Sequence, residues 1–153
     1  MKWITRQRPK IDRIACPWLI RRFIDKEAEF IFAPPEEVFH IAKSTGAIPF
    51  DIPGAELSHE GDFCSFDTFL KKYQITDHAL VSLAKIVRAA DTDTLEQSAE
   101  AAGLLAISLG LSKNFKDDHE MLEIGMHIYE ALYSWCKESK KTPHNWEPIL
   151  NKL

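Results

Sequence analysis

The chain has no apolar run approaching the roughly eighteen residues that span a bilayer. Its opening residues, MKWITRQRPKID, also hold no apolar stretch of signal-peptide length. The expectation is a cytoplasmic protein with no membrane partner. Cysteine is scarce. Cys16, Cys64 and Cys136 are odd in number and widely spaced, which excludes a disulfide framework and predicts reduced thiols. Surplus positive charge is missing too: 19 Lys and Arg stand against 23 Asp and Glu, a net charge of −4. That balance argues against direct nucleic-acid binding, because phosphate contacts need clustered cations. No phosphate loop, GxSxG elbow, HExxH helix or CxxC pair is present. No reaction class can therefore be read from a motif.

What remains is ordinary globular composition, 45% apolar and 27% charged over 153 residues. It fits one domain over residues 1–140 and a polar tail over 141–153. The first half reads as mixed. KWITR and AEFIFAP read as strands, and AIPFDIPG, broken by Pro49 and Pro53, as an edge strand or irregular segment. A helix is expected to start at Pro17, with WLIRRFI as its body, and another over PEEVFHIAKSTG, stopped by Gly46. The second half turns helical. Ser65 is the expected cap of FDTFLKKY and Asp77 of HALVSLAKIVRAAD. LEQSAEAAGLLAISLGLS and DDHEMLEIGMHIYEALYSWCKES follow as two more helices, with Cys136 a small apolar residue in the last. The fold class is α+β, with short N-terminal strands and a predominantly helical C-terminal half. The tail offers Trp146, Ile149 and Leu150 as a docking segment, with a solvated end as the plainer alternative.

Several residues suggest chemistry. Arg6, Arg8 and Arg13 precede or flank the helix expected at Pro17, whose N-terminus would hold Cys16 in a positive field. Guanidinium groups there suit an oxyanion, and a thiol so placed should have a lowered pKa. Arg21 and Arg22 read as a solvated helix face. His59 sits in a loop between Gly54 and Gly61, five residues before Cys64. It can donate to an anion, bind a metal, or simply bond to backbone. Asp91 and Asp93 end a helix, where acids oppose the dipole unless a cation, an arginine or another helix start offsets them. Asp93 or Thr94 can cap the next helix, which leaves Asp91 to be explained. Asp118 and His119 open the last helix and could reach a pocket from its end. Glu123 and His127 lie on the side away from Leu122, Gly125, Ile128, Leu132 and Cys136, and are discounted as ligands.

Two site readings follow. One is an oxyanion site made by Arg6, Arg13, Cys16 and His59. The other is a metal-dependent enzyme or metal sensor drawing on His59, Cys64, Asp91, Asp93, Asp118 and His119, with Cys16 a further sulfur donor. Mixed donors there would suit a divalent ion such as zinc or iron, and an oxygen-rich subset manganese or magnesium.

PKIDRIACPWLIRRFID, PFDIPGAELSHEGDFCSFDTFLKKY, IVRAADTD, AAGLLAISLGLS and DDHEMLEIGMHIYEALYSWC together resemble the chromate resistance (ChrB-type) domain. The resemblance runs from about Thr5 to Cys136. It implies a role in bacterial chromate resistance. Longer family members look like cytoplasmic regulators that sense chromate and control an efflux transporter, with this domain at their C-terminal end. The matching block begins near Met1, so DNA binding by this chain alone is not expected. Self-association or a separate regulatory partner, DNA-binding or rhodanese-like, is the corresponding expectation. Chromate, a tetrahedral dianion like sulfate, would be the guest of Arg6, Arg13 and His59. Cys16 and Cys64 could add thiol redox chemistry.

Overall fold

Strand β1 (Lys2–Arg6) buries Trp3, Ile4 and Thr5 in succession, so both of its faces are covered. A strand apolar on both sides belongs in the middle of a sheet. In the computed structural model, which describes residues 1–138, β1 lies between β2 (Glu29–Ala33) and β3 (Ile48–Pro49). Both pairings are parallel, with Ile4 opposite Ile31 and Pro49. The expected edge segment is thus a two-residue strand at the sheet margin. Parallel strands need crossovers, and two helices supply them. Helix α1 (Asp12–Leu19) lies between β1 and β2 in sequence, and α2 (Val38–Thr45) between β2 and β3.

The two sheet faces carry different cores. Ile4, Ala33, Val38, Ala42, Ala47 and Ile52 form a small cluster under α2. Trp3, Phe30 and Phe50 face the larger one, built with α1 and the later helices. Those are α3 (Ser65–Lys72), α4 (His78–Asp91), α5 (Ala101–Asn114) and α6 (Asp118–Glu138). The α+β expectation holds, with the strands confined to the first fifty residues. Trp18 joins the layers, stacked against Phe66 and tilted on Tyr133, while its indole N–H donates to Glu130 at 2.8 Å.

Local expectations mostly survive. Gly46 closes α2 in the left-handed region at φ 72°, and Asp77 caps α4 by accepting from the amides of Ala79 and Leu80. Three do not. Helix α1 begins at Asp12, five residues before Pro17, so Pro17 and Cys16 sit inside it. A wider turn over Ile20–Ile24 follows it directly, closed by the Asp25 amide donating to the Ile20 carbonyl at 2.7 Å. Helix α3 is capped by Cys64 and Asp67, and Ser65 is its first residue, its hydroxyl turned to Asp51. The third long helix is split into a tight turn over Leu95–Gln97 and α5 proper. Among the described residues no helix is long and apolar enough to cross a membrane. The suggested Trp146 docking segment lies outside the described residues.

Helices α1 and α6 meet closely at Gly125. A Cβ added there would lie 2.4 Å from Ile14 Cγ2, and Ile14 is 1% exposed. A β-branched side chain has little freedom to turn away. Gly125→Ala should gain about 1 kcal/mol of helix propensity and lose about 1–3 kcal/mol to overpacking. The expected outcome is a net destabilisation in urea unfolding; a stabilised variant would show that the contact yields.

Candidate functional site

The parallel strands end on one side of the sheet, and the chain segments that follow them converge there. After β1 comes a strap in which Arg8 and Ile11 have φ of 55° and 41°. Positive φ is costly for a β-branched residue and needs outside support. Here it comes from Tyr129, whose hydroxyl donates to the Ile11 carbonyl at 2.9 Å. Ser108 receives the Ile11 amide at 3.1 Å. Arg8 anchors the strap by donating to the carbonyls of Ser112, Phe115 and Lys116 at the end of α5 and to Asp118. The strap delivers Asp12 to the head of α1, fully buried.

Asp12 then caps another helix. Its carboxylate accepts the amides of Ser65 at 2.6 Å and Phe66 at 3.0 Å, the first turn of α3, and the Cys16 thiol at 3.2 Å. Helix N-termini favour such an anion. Asp51 follows β3 at φ 47° and is 4% exposed. It accepts from the Ser65 hydroxyl at 2.7 Å. Arg6 Nη2 lies 3.2 Å and Arg13 Nε 3.5 Å from its other oxygen. Asp91, at the end of α4, takes the Asp12 amide weakly at 3.4 Å. The head of α1 is thus part of what offsets its unfavourable place.

His59 completes the group. Its Nε2 lies 3.0 Å from Asp91, 3.3 Å from Asp51 and 3.5 Å from Asp12. The ring is 41% exposed, so the cluster opens to solvent on this side. Hydrogen bonds to Asp12 and Asp51 outweigh partial burial and raise His59 to about 10. Burial, then the charges of Asp12 and Asp51, raises Asp91 to about 7. Burial also raises Asp12. Asp51 feels the same burial, but His59, Ser65 and the two arginines hold it below the usual carboxylate range. One ligand atom each from Asp12, His59 and Asp91 lies within 4.8 Å of the others. Two carboxylate oxygens and one imidazole nitrogen, open on one side, can hold a divalent cation and leave it free positions.

Residues 3–136 match the family described as ChrB, C-terminal domain. The chain belongs to that family. Protein ChrB of Cupriavidus metallidurans (strain ATCC 43123 / DSM 2839 / NBRC 102507 / CH34) is 33% identical over 141 residues. The match takes in 92% of this chain and 42% of that protein, so the chain spans about two fifths of the relative's length. No solved structure matches.

Within this ChrB-type domain, Arg6, Arg13, Cys16, His59 and Asp91 do come together. Cys16 is present in a different role from the one expected. It is 0% exposed, and burial followed by the charge of Asp12 pushes its thiol up, not down. Cys64 is likewise buried and raised, its thiol donating to Asp67 at 3.3 Å, and it is not among the converging ligands. Asp93 is exposed, in a left-handed turn beyond α4. Asp118 is spent on Arg8, and His119 is exposed with its ring against Phe32. A helix start can reach a pocket, but this one reaches the strap. Glu123 and His127 face outward as expected, Glu123 paired with Arg21 at 3.0 Å.

Asp12 and Asp51 were not singled out in the sequence. Asp51 had a usable signal: a lone charge in IPFDIPG, an otherwise apolar segment between two prolines. Asp12 was obscured because Pro17 drew the helix start five residues too late.

The raised groups fix a pH dependence for the metal-free protein. A histidine with a raised pKa stabilises the fold fully below about 6.5, and loses that contribution as pH rises through about 10. The raised Asp91 carboxyl likewise lowers stability as pH climbs from 3.8 toward about 7. In EDTA, denaturation midpoints should fall from pH 6.5 to 10, and His59→Gln should flatten that decline. An unchanged slope in the variant would mean that the carboxylates do not hold the imidazolium.

Proposed function

We propose that this chain is a chromate-resistance domain built around a divalent-cation centre held by Asp12, His59 and Asp91. Membership of the ChrB C-terminal family supports the first half of the reading. One observation carries the second: the ligand atoms of these three residues converge at a single solvent-facing point. In the metal-free state the protonated ring of His59 is the cation that neutralises the carboxylates. A bound metal replaces that charge. The donor set, oxygen and nitrogen without sulfur, favours manganese, iron or zinc over a thiolate-type site.

An oxyanion alone fits this point poorly. His59 is ringed by three carboxylates, and Arg6 and Arg13 both point at Asp51. The balance changes with a cation bound. With His59 neutral, three carboxylates and two guanidiniums leave a net negative charge, and a divalent ion makes it positive. A cation held there would supply the positive charge to attract a chromate-like anion, with Arg6 and Arg13 beside Asp51 adding to it. The expected direct Arg/His oxyanion site thus becomes a cation-dependent one.

Elemental analysis of untagged protein, followed by titration of Mn2+, Fe2+ and Zn2+ into EDTA-treated samples, tests the reading. About one equivalent should bind, more tightly as pH rises, because His59 must release its proton. His59→Gln and Asp91→Asn should each weaken binding by at least about 100-fold. Chromate should then give heat only with the loaded protein. Absence of stoichiometric metal, or variants that bind it as well as the parent, would remove the proposal.

A further inference from the structure

Helix α5 is apolar all round, although only one side of it is buried. Ala101, Leu104 and Ser108 face inward. At about 100° per residue, Gly103, Ala106 and Gly110 point away from that side, with Ile107 on the flank nearer α6. Ile107 is 49% exposed and Leu109 41%. No charged residue lies between Glu100 and Lys113. A helix apolar on every side is normally covered on every side.

The glycines add a second observation. Gly103 and Gly110 lie within the helix, not in turns, and a Cβ at either would meet nothing within 4 Å. Nothing else in the described chain needs them small, and glycine is the poorest helix former after proline. Their use is explained by a backbone that approaches from outside. The flank carrying Ile107 borders α6, where Ile107 and Leu111 line a small gap with Gly125 and Ile128.

We infer that this face binds a second copy of the chain, α5 against α5, antiparallel about a two-fold axis between Ala106 and Ile107. The sequence is self-complementary about that point. Gly103 meets Gly110 of the second copy, and Ile107 meets Ala106. Glu100, at the positive end of one helix, meets Lys113 at the negative end of the other. This charge match selects a second copy in this orientation over an unrelated apolar partner. The inner side of α5 carries Ser108, which holds the strap leading to Asp12, so the interface lies one helix away from the cation site. The inference does not depend on that site being loaded.

Sedimentation velocity on the full chain tests it. A species of twice 17.5 kDa should form at micromolar concentration. Ile107→Arg should raise the dissociation constant by about 100-fold or more, with circular dichroism unchanged because the residue is half exposed. Glu100→Lys alone should weaken the dimer roughly tenfold, since the axis counts each pair twice, and E100K/K113E should recover most of that loss. A chain that stays monomeric at about 100 μM would overturn the inference. So would a dimer indifferent to Ile107→Arg, or a double reversal no better than the single one.

Discussion

A carboxylate with no solvent exposure organises this structure. Burying an ionised Asp is tolerable only when hydrogen bonds and opposite charge surround it. Asp12 receives both from parts of the chain that are distant in sequence: the first turn of α3, the Cys16 thiol and the ring of His59. Its own position depends on a strained strap, which Arg8, Ser108 and Tyr129 tie to α5 and α6. The late helices therefore do more than bury apolar surface. They hold an unfavourable backbone in place so that one acid meets two others.

Three acids so close would repel each other without a cation among them. The molecule supplies two kinds of relief. Arg6 and Arg13 are committed to Asp51, whose carboxyl they help keep ionised. His59 serves all three acids from a solvent-open side, and its raised pKa reflects chiefly the hydrogen bonds to Asp12 and Asp51. The arginine-rich N-terminal segment thus has a concrete purpose. Arg6 and Arg13 position an acid, Arg8 braces a strap, and Arg21 and Arg22 reach outer glutamates.

Much of the fold was legible because it depends on local signals. Apolar strands, the Asp77 cap and the Gly46 stop each act within a few residues, and all were found. The start of α1 was missed because its cap is not a local side chain: that of Ile11 makes no capping bond, and the support comes from α5 and α6. The candidate site was half legible for the same reason. His59 and Asp91 looked out of place in their own segments, which is a readable signal. Asp12 fell outside the helix expected at Pro17, and only tertiary contact reveals that it is buried. Asp118 and His119 looked equally suitable, and nothing in the sequence showed that Arg8 would claim one of them. The Cys16 thiol was misjudged because it lies inside α1, away from the helix start whose dipole would lower its pKa. Burial beside Asp12 acts the other way on Cys16.

The central claim is that Asp12, His59 and Asp91 share one cation. The most direct measurement is a crystal structure of the full chain grown with Mn2+, with data collected on both sides of the manganese absorption edge. A single anomalous peak about 2.0–2.3 Å from a carboxylate oxygen of Asp12, one of Asp91 and the His59 ring nitrogen is the expected result. A map with these side chains well ordered, His59 still bonded to the three acids and no peak between them would contradict it.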